Sequence, residues 1–164
     1  MRLYLFAFGK VRTPGLREAA DYYLRLLRPW ADLEEIELKP MAVSDKSSSV
    51  RARVQEQEGI LLLEKVREKI SNRGAFFILD EKGSALPTTQ WTQRIQEWEL
   101  RSIPSVAFCI GSSLGFSEHV RSQANGSLSL GPQTLSHELA RTVVLEQLYR
   151  AYSLHKGHPY HNEG

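Results

Sequence analysis

Apolar positions along the chain fall into short continuous runs that alternate with longer stretches carrying one apolar side. Arg2 to Gly9 is an aromatic and aliphatic run ending in glycine, the pattern of a buried strand. Thr13-Pro14 then sets a cap residue before a proline at a first helical position, predicting a helix to about Arg28, where Pro29 stops it. Leu33 to Lys39 alternates Leu33, Glu35, Glu37 with Glu34, Ile36, Leu38, an indifferent strand signal that still predicts a second strand. After the polar loop Ser44 to Ser49, Val50 to about Ser71 predicts a helix with one apolar side carrying Val54, Ile60, Leu61, Leu62, Leu63, Val66 and Ile70. Gly59 weakens its middle by roughly 1 kcal/mol relative to alanine.

Ala75 to Leu79 is a fully apolar third strand, ended by Asp80 and a loop through Gly83 and Pro87. Thr88 to Leu100 predicts a helix with Trp91, Ile95, Trp98 and Leu100 on one face, closed by Pro104. Val106 to Ile110 is a fourth strand running into Gly111-Ser112-Ser113-Leu114-Gly115. Ser117 to Ala124 predicts a short helix, Ser127 to Leu130 a short strand, and Ser136 to about Lys156 the last helix, with a tail from Gly157 to Gly164. Strands and helices in alternation imply an α/β fold: a mostly parallel sheet with helices on both faces. A length of 164 residues, with no internal repeat and no linker, suits one domain over 1–164.

Composition narrows the class. A hydrophobic fraction of 41% is that of a globular chain. The richest apolar runs are strand-sized, so no membrane span is expected, and the N-terminus lacks the pattern of a signal peptide. The single Cys109 rules out an internal disulfide and agrees with a reducing, cytoplasmic location. The net charge of +2 is too small to indicate nucleic-acid binding alone. Up to Arg28, however, Arg2, Lys10, Arg12, Arg17, Arg25 and Arg28 face only Glu18 and Asp21, an excess that suits either phosphates or a solvated helix face. The five histidines, His119, His137, His155, His158 and His161, all lie in the final quarter, where proton chemistry near neutral pH would most readily sit.

Ligands of open α/β sheets bind beyond the carboxyl ends of strands, which here points to the loops after Leu79, from Gly111 to Gly115, and from Leu130 to Leu135. The chain has neither a three-glycine dinucleotide fingerprint nor a phosphate loop at Gly9-Lys10. Ser112, Ser113 and Ser136 lack the Gly-x-Ser-x-Gly elbow of a serine hydrolase. His155, His158 and His161 are interrupted by Gly157 and Pro159 and lack a completing carboxylate or cysteine, so no metal is expected. Cys109, inside an apolar strand, reads as a small core residue.

Three segments carry a likeness: Thr134-Leu135-Ser136-His137, then Glu146-Gln147-Leu148-Tyr149-Arg150-Ala151, then His158-Pro159-Tyr160-His161. Together they closely resemble the carboxyl-terminal signature of the ribosomal large-subunit methyltransferase H family, of the SPOUT class. The likeness extends to Leu79-Asp80, Ile110-Gly111 and the chain length. It implies a SPOUT-like fold with a trefoil knot near the carboxyl end, a rare exception to unknotted chains. It implies methyl transfer from S-adenosylmethionine to N3 of a pseudouridine in large-subunit (23S) ribosomal RNA, on the assembled ribosome. It further implies a homodimer in which one subunit completes its partner's cofactor pocket.

Carried over residue by residue, the resemblance assigns cofactor contacts to Leu79, Gly111, Leu130, Gly131, Pro132, Gln133, Thr134 and Leu135. The chain departs from the usual family pattern at Ser112, in place of a second glycine, at Ser136, in place of proline, and at Gly131-Pro132, in place of the commoner serine-containing loop. For the chemistry, His161 is the first candidate for the base that takes the N3 proton. Arg150 is the candidate to stabilise the developing oxyanion or hold a phosphate, Tyr160 to stack on the base or share a proton, and His137 to order the cofactor loop. The alternatives are a non-catalytic ribosome- or RNA-binding factor of the same fold, and a metal-dependent hydrolase using the terminal histidines.

Overall fold

The computed structural model describes residues 1–160. Five strands, β1 (Arg2–Phe8), β2 (Asp32–Leu38), β3 (Ala75–Ala85), β4 (Ser105–Ile110) and β5 (Gly126–Ser129), form one sheet in the order β2-β1-β4-β3-β5. All four pairings are parallel. The helices are α1 (Leu16–Leu27), α2 (Ser48–Lys69), α3 (Thr88–Leu100), α4 (Glu118–Gln123) and α5 (His137–His155).

The two-residue period of the strands divides the core. Leu3, Leu5 and Ala7 of β1, with Val106, Phe108 and Ile110 of β4, point to a layer made by α1, α3 and α5. Tyr4, Phe6 and Phe8, with Ala107 and Cys109, point to the opposite layer of α2 and α4. Both faces are covered, so the central strands read as continuous apolar runs rather than alternating ones. Helix α5 lies between α1 and α3, and buries Val144, Leu145, Leu148 and Tyr152 there.

Edge strand β2 had a weak signal for a physical reason. Its Glu35 and Glu37 carboxylates each meet Arg141 Nη1 at 2.9 Å, and Arg17 meets Glu35 at 2.9 Å. Arg141 is fully buried and also donates to the Gly9 carbonyl at 2.5 Å, so an ionic cluster replaces apolar packing beneath that edge.

Several local expectations change. Thr13-Pro14 does not cap α1; Gly15, left-handed at φ 83°, takes the N-cap position without a side-chain bond. Strand β3 does not end at Leu79: it shifts register between Leu79 and Ser84 and continues to Ala85. Gly83 permits that continuation, because a Cβ there would lie 2.7 Å from the backbone of Ser127 and Leu128. Leu100 is exposed rather than part of the buried face of α3, and Ile60 is exposed rather than on the buried side of α2, because it points away from the sheet that Leu62, Leu63 and Val66 pack against. Gly59 is buried, and a Cβ would meet Ser117 Oγ at 2.7 Å, so its helix-weakening character accompanies close packing of α2 on the chain leading into α4.

Candidate functional site

The carboxyl ends of β3 and β4 open into a cleft of about 700 Å³. Its floor includes Leu79 and Ile110, its walls are the 111–116 and 130–136 segments, and His137 and Ala140 of α5 close one side. Leu79, Gly111, Leu130, Gly131, Gln133, Thr134, Leu135 and His137, separate in sequence, therefore converge; Pro132, between two of them, is not among the lining residues.

Each wall is held by identifiable bonds. Ser129 Oγ accepts from Gly131 N at 3.1 Å and lies 2.8 Å from the Gly131 carbonyl, fixing a turn in which Gly131 has φ 128°. Thr134 Oγ1 donates to Glu81 at 2.6 Å, tying that loop to the extended part of β3. On the other wall, the Ser112 hydroxyl donates to buried Glu58 of α2 at 2.5 Å and accepts from Leu114 N at 3.2 Å. Gln55 Nε2 donates to the Leu114 carbonyl at 2.6 Å. Ser112, a departure from the family pattern, is thus the link between the Gly111–Gly115 turn and α2. Ser136 acts similarly at another departure, capping α5 by accepting from Leu139 N at 3.2 Å.

Charge in the cleft is balanced. Asp80 meets Arg121 at 2.6 Å. Burial pushes the Asp80 carboxyl up, but the Lys82 N–H and the Arg121 guanidinium outweigh it and hold it below the usual carboxylate value. His137 rests on left-handed Gly9, where a Cβ would lie 2.9 Å from its Nε2. Glu138 accepts from Arg12 N at 2.8 Å and Thr13 N at 2.7 Å; these bonds, led by Thr13, hold its carboxyl below the ordinary value. The first turn of α5 and the end of β1 consequently hold each other.

Arg150 and Tyr160 lie elsewhere. From His137 to Arg150 is thirteen residues of α5, about 20 Å along the axis. The Arg150 guanidinium sits 5.1 Å from the Tyr160 ring centre and pairs with Glu146 through Nε at 2.9 Å. Tyr160 packs on Tyr149 at 4.5 Å, and Tyr149 stacks on Trp30 at 5.3 Å. Burial, then hydrogen bonding with Tyr23, pushes the Tyr160 phenol up to about 12, so it stays protonated near neutral pH and can donate a hydrogen bond. His161 lies outside the described residues. The remaining histidines separate: His155 pairs with Glu99 at 2.8 Å, His158 packs edge-on to Trp30, and His119 lines a groove beside α2. Among the described residues no group of His, Cys, Asp or Glu is arranged to hold a metal ion, and no helix is long and apolar enough to cross a membrane.

Asp80, Glu81, Arg121, Glu58 and Gly9 were not singled out as site residues by sequence. Only Asp80 left a trace, as part of the Leu79-Asp80 likeness; the others become visible only when distant segments meet.

Known proteins resemble this chain in sequence and in fold. The family model described as "Predicted SPOUT methyltransferase" matches residues 1–161. A protein named Ribosomal RNA large subunit methyltransferase H from Oenococcus oeni is 33% identical over 162 residues, covering 98% of this chain and 99% of its own. One of the same name from Streptococcus pneumoniae is 32% identical with the same coverage. The solved structure of a probable methylase family protein from Haemophilus influenzae superposes with a TM-score of 0.55, covering 98% of this chain and 70% of its own. Its 9% identity makes that a likeness of fold alone. With a family model spanning nearly every residue and full-length relatives a third identical, the chain belongs to the SPOUT methyltransferases, in the ribosomal RNA large subunit methyltransferase H family.

Proposed function

We propose that this chain is an S-adenosylmethionine-dependent methyltransferase acting, as a cytoplasmic homodimer, on N3 of a pseudouridine in large-subunit ribosomal RNA of the assembled ribosome. The observation that carries the reading is the cleft at the carboxyl ends of β3 and β4, combined with the names of the full-length relatives. A cleft of about 700 Å³ suits a ligand the size of a nucleoside cofactor. Gly111 and Gly131 leave backbone approachable, and the turn at Ser129–Gly131 is already fixed by its hydroxyl. Leu79, Gly111 and the 130–135 loop would hold the cofactor, with Pro132 stiffening that loop. A knotted path near the carboxyl end belongs to the same reading.

When bound, the cofactor supplies a methyl group already activated as a sulfonium. The chain must align the acceptor and remove a proton, because N3 loses its hydrogen as it gains the methyl. His161 is the proposed base. Tyr160, protonated near neutral pH, stacks on the base or donates a hydrogen bond, and Arg150, steadied by Glu146, offsets charge developing on the neighbouring carbonyl oxygen. His137, seated on Gly9, orders the cofactor loop. The 20 Å between the cleft and the Arg150–Tyr160 end of one α5 favours a shared site, in which one copy supplies the cleft and its partner the tail.

The test uses labelled S-adenosylmethionine and ribosomes lacking the modification, comparing wild type with His161→Ala. Label in large-subunit RNA that disappears with the substitution is expected. Label retained in the variant rejects His161 as base. No label with wild type, and no cofactor binding by calorimetry, would return the chain to the non-catalytic RNA-binding alternative.

A further inference from the structure

The chain carries 21 Lys and Arg against 19 Asp and Glu, an almost even balance that is unevenly placed. Near the amino ends of β1 and β2, cations are paired: Arg2 with Asp32 at 3.1 Å, and Lys69 with Glu34 at 2.7 Å. Beneath the β2 edge, Arg17 and Arg141 are paired as well. The carboxyl ends of the same two strands differ. Lys10 and Arg12 follow β1; Lys39 and Lys46 follow β2, with Arg51 and Arg53 in the first turns of α2. All six are exposed, and among the described residues none has a carboxylate within ion-pair distance.

Two of the acids nearby are held by main chain. Asp45, the single acid in the 9–13 and 39–53 segments, accepts from Ser47 N at 2.7 Å. Glu138 accepts from the backbone of Arg12 and Thr13, which leaves the Arg12 guanidinium uncompensated. Both segments are anchored to the cleft's own walls. Gly9 seats His137, and Met41 N donates to Glu58 at 2.9 Å, the carboxylate that holds Ser112. The cations therefore form a rim along one side of the cleft.

We propose that this rim is the docking surface for the phosphodiester backbone of the RNA flanking the target nucleotide. The inference rests on the methyltransferase reading of the cleft, and adds where the nucleic acid lies relative to it. Unpaired, solvent-exposed cations gain most from counterion release at phosphates, and hydroxyls of Ser44, Ser47, Ser48 and Ser49 among them add neutral donors to phosphate oxygens. The rim positions RNA without reading its sequence, which leaves selection to the cleft and the shape of the ribosome.

The test compares full-length wild type with the variant Lys39→Ala, Lys46→Ala, Arg51→Ala. Ribosomes lacking the modification serve as the binding probe, titrated across a salt series. The variant should bind about 10-fold or more weakly near physiological salt, with a log–log salt slope shallower by about 2. Cofactor affinity, melting temperature and oligomeric state should stay as in wild type, and arginine at positions 39 and 46 should restore binding. An unchanged slope would overturn the proposal, as would a change of oligomeric state, which would make the rim a contact between copies. Ribosome binding that follows the rim without any methyl transfer would instead retire the catalytic reading and leave the rim standing.

Discussion

The two ends of α5 are built in opposite ways. At the His137 end, main chain does most of the work: glycines, capped turns and backbone carbonyls shape the cleft, and side chains such as Ser112 and Ser129 act on the main chain. At the Arg150 end the elements are side chains, with an aromatic stack of Trp30, Tyr149 and Tyr160 under a guanidinium. A pocket shaped by backbone tolerates side-chain change, whereas a side-chain cluster does not. That contrast agrees with the resemblance, whose departures at Ser112, Ser136 and Gly131-Pro132 fall at the first end while Tyr149-Arg150 and His158-Pro159-Tyr160 carry it at the second.

The sharpest way to break the contrast is Arg141→Ala, in the second turn of α5. It strips Glu35, Glu37 and the Gly9 carbonyl of a fully buried partner, and should destabilise the fold by about 3–5 kcal/mol. A denaturant midpoint close to wild type would show that the ionic cluster does not hold that end. Arg150→Ala should do the reverse, shifting stability by about 0.5 kcal/mol or less because its pairing with Glu146 is partly exposed. Its methyl-transfer rate should nonetheless fall about 100-fold, with cofactor affinity preserved.

Mixing sharpens the comparison further. An inactive cleft variant, Gly111→Val, combined in equal amounts with Arg150→Ala should recover about a quarter of wild-type activity if each site draws on two copies. Activity that stays at the level of the separate variants would confine the site to one chain. Smaller still is Ser112→Ala, which leaves a buried Glu58 oxygen without its donor. A stability loss of about 1–3 kcal/mol is expected, with weaker cofactor binding and near-normal turnover at saturation.

The smallest effect is acid sensitivity. Asp80 and Glu138 both lie below their ordinary values in the fold, so their contribution is complete above those values and fades as pH falls through the lowered ones. Melting temperature should be level above about pH 5 and decline below about pH 4, with a gentler decline in Asp80→Asn. An identical decline in that variant would remove Asp80 from the account.

Strands buried on both faces were legible because nothing interrupts their apolar runs: Leu3 to Phe8, Ala75 to Leu79 and Val106 to Ile110 read directly. Where polar residues sit inside the fold, the pattern fails. Glu35 and Glu37 obscure β2 because their partner Arg141 is more than a hundred residues away, and Asp80 to Gly83 read as a loop although β3 runs through them to Ala85. Helix α1 starts at Gly15 because the main chain turns left-handed there, a conformation that Thr13-Pro14 did not announce. For the site, the carboxyl ends of the strands pointed to the three loops that line the cleft, and the family motif to His137 beside them. The predicted helix from Ser136 to Lys156 already separates His137 from Arg150 by about 20 Å, but nothing local in sequence placed Tyr160, beyond the helix end, against Arg150. The histidine-rich ending pointed to proton chemistry in the final quarter, yet His155 and His158 engage Glu99 and Trp30.

The strand order also governs how this molecule comes into being. Strand β1 sits between β2 and β4, so Arg2 aligns with Asp32 on one side and with Ser105 on the other. During synthesis the first strand can find its β2 neighbour early, but its second edge waits until more than a hundred residues have emerged. Such distant pairing makes for slow folding, and the interval leaves an apolar edge, Leu3 to Phe8, open to other chains. This inner strand, paired on both edges in the finished sheet, is thus the one whose nascent form depends most on being kept from aggregation.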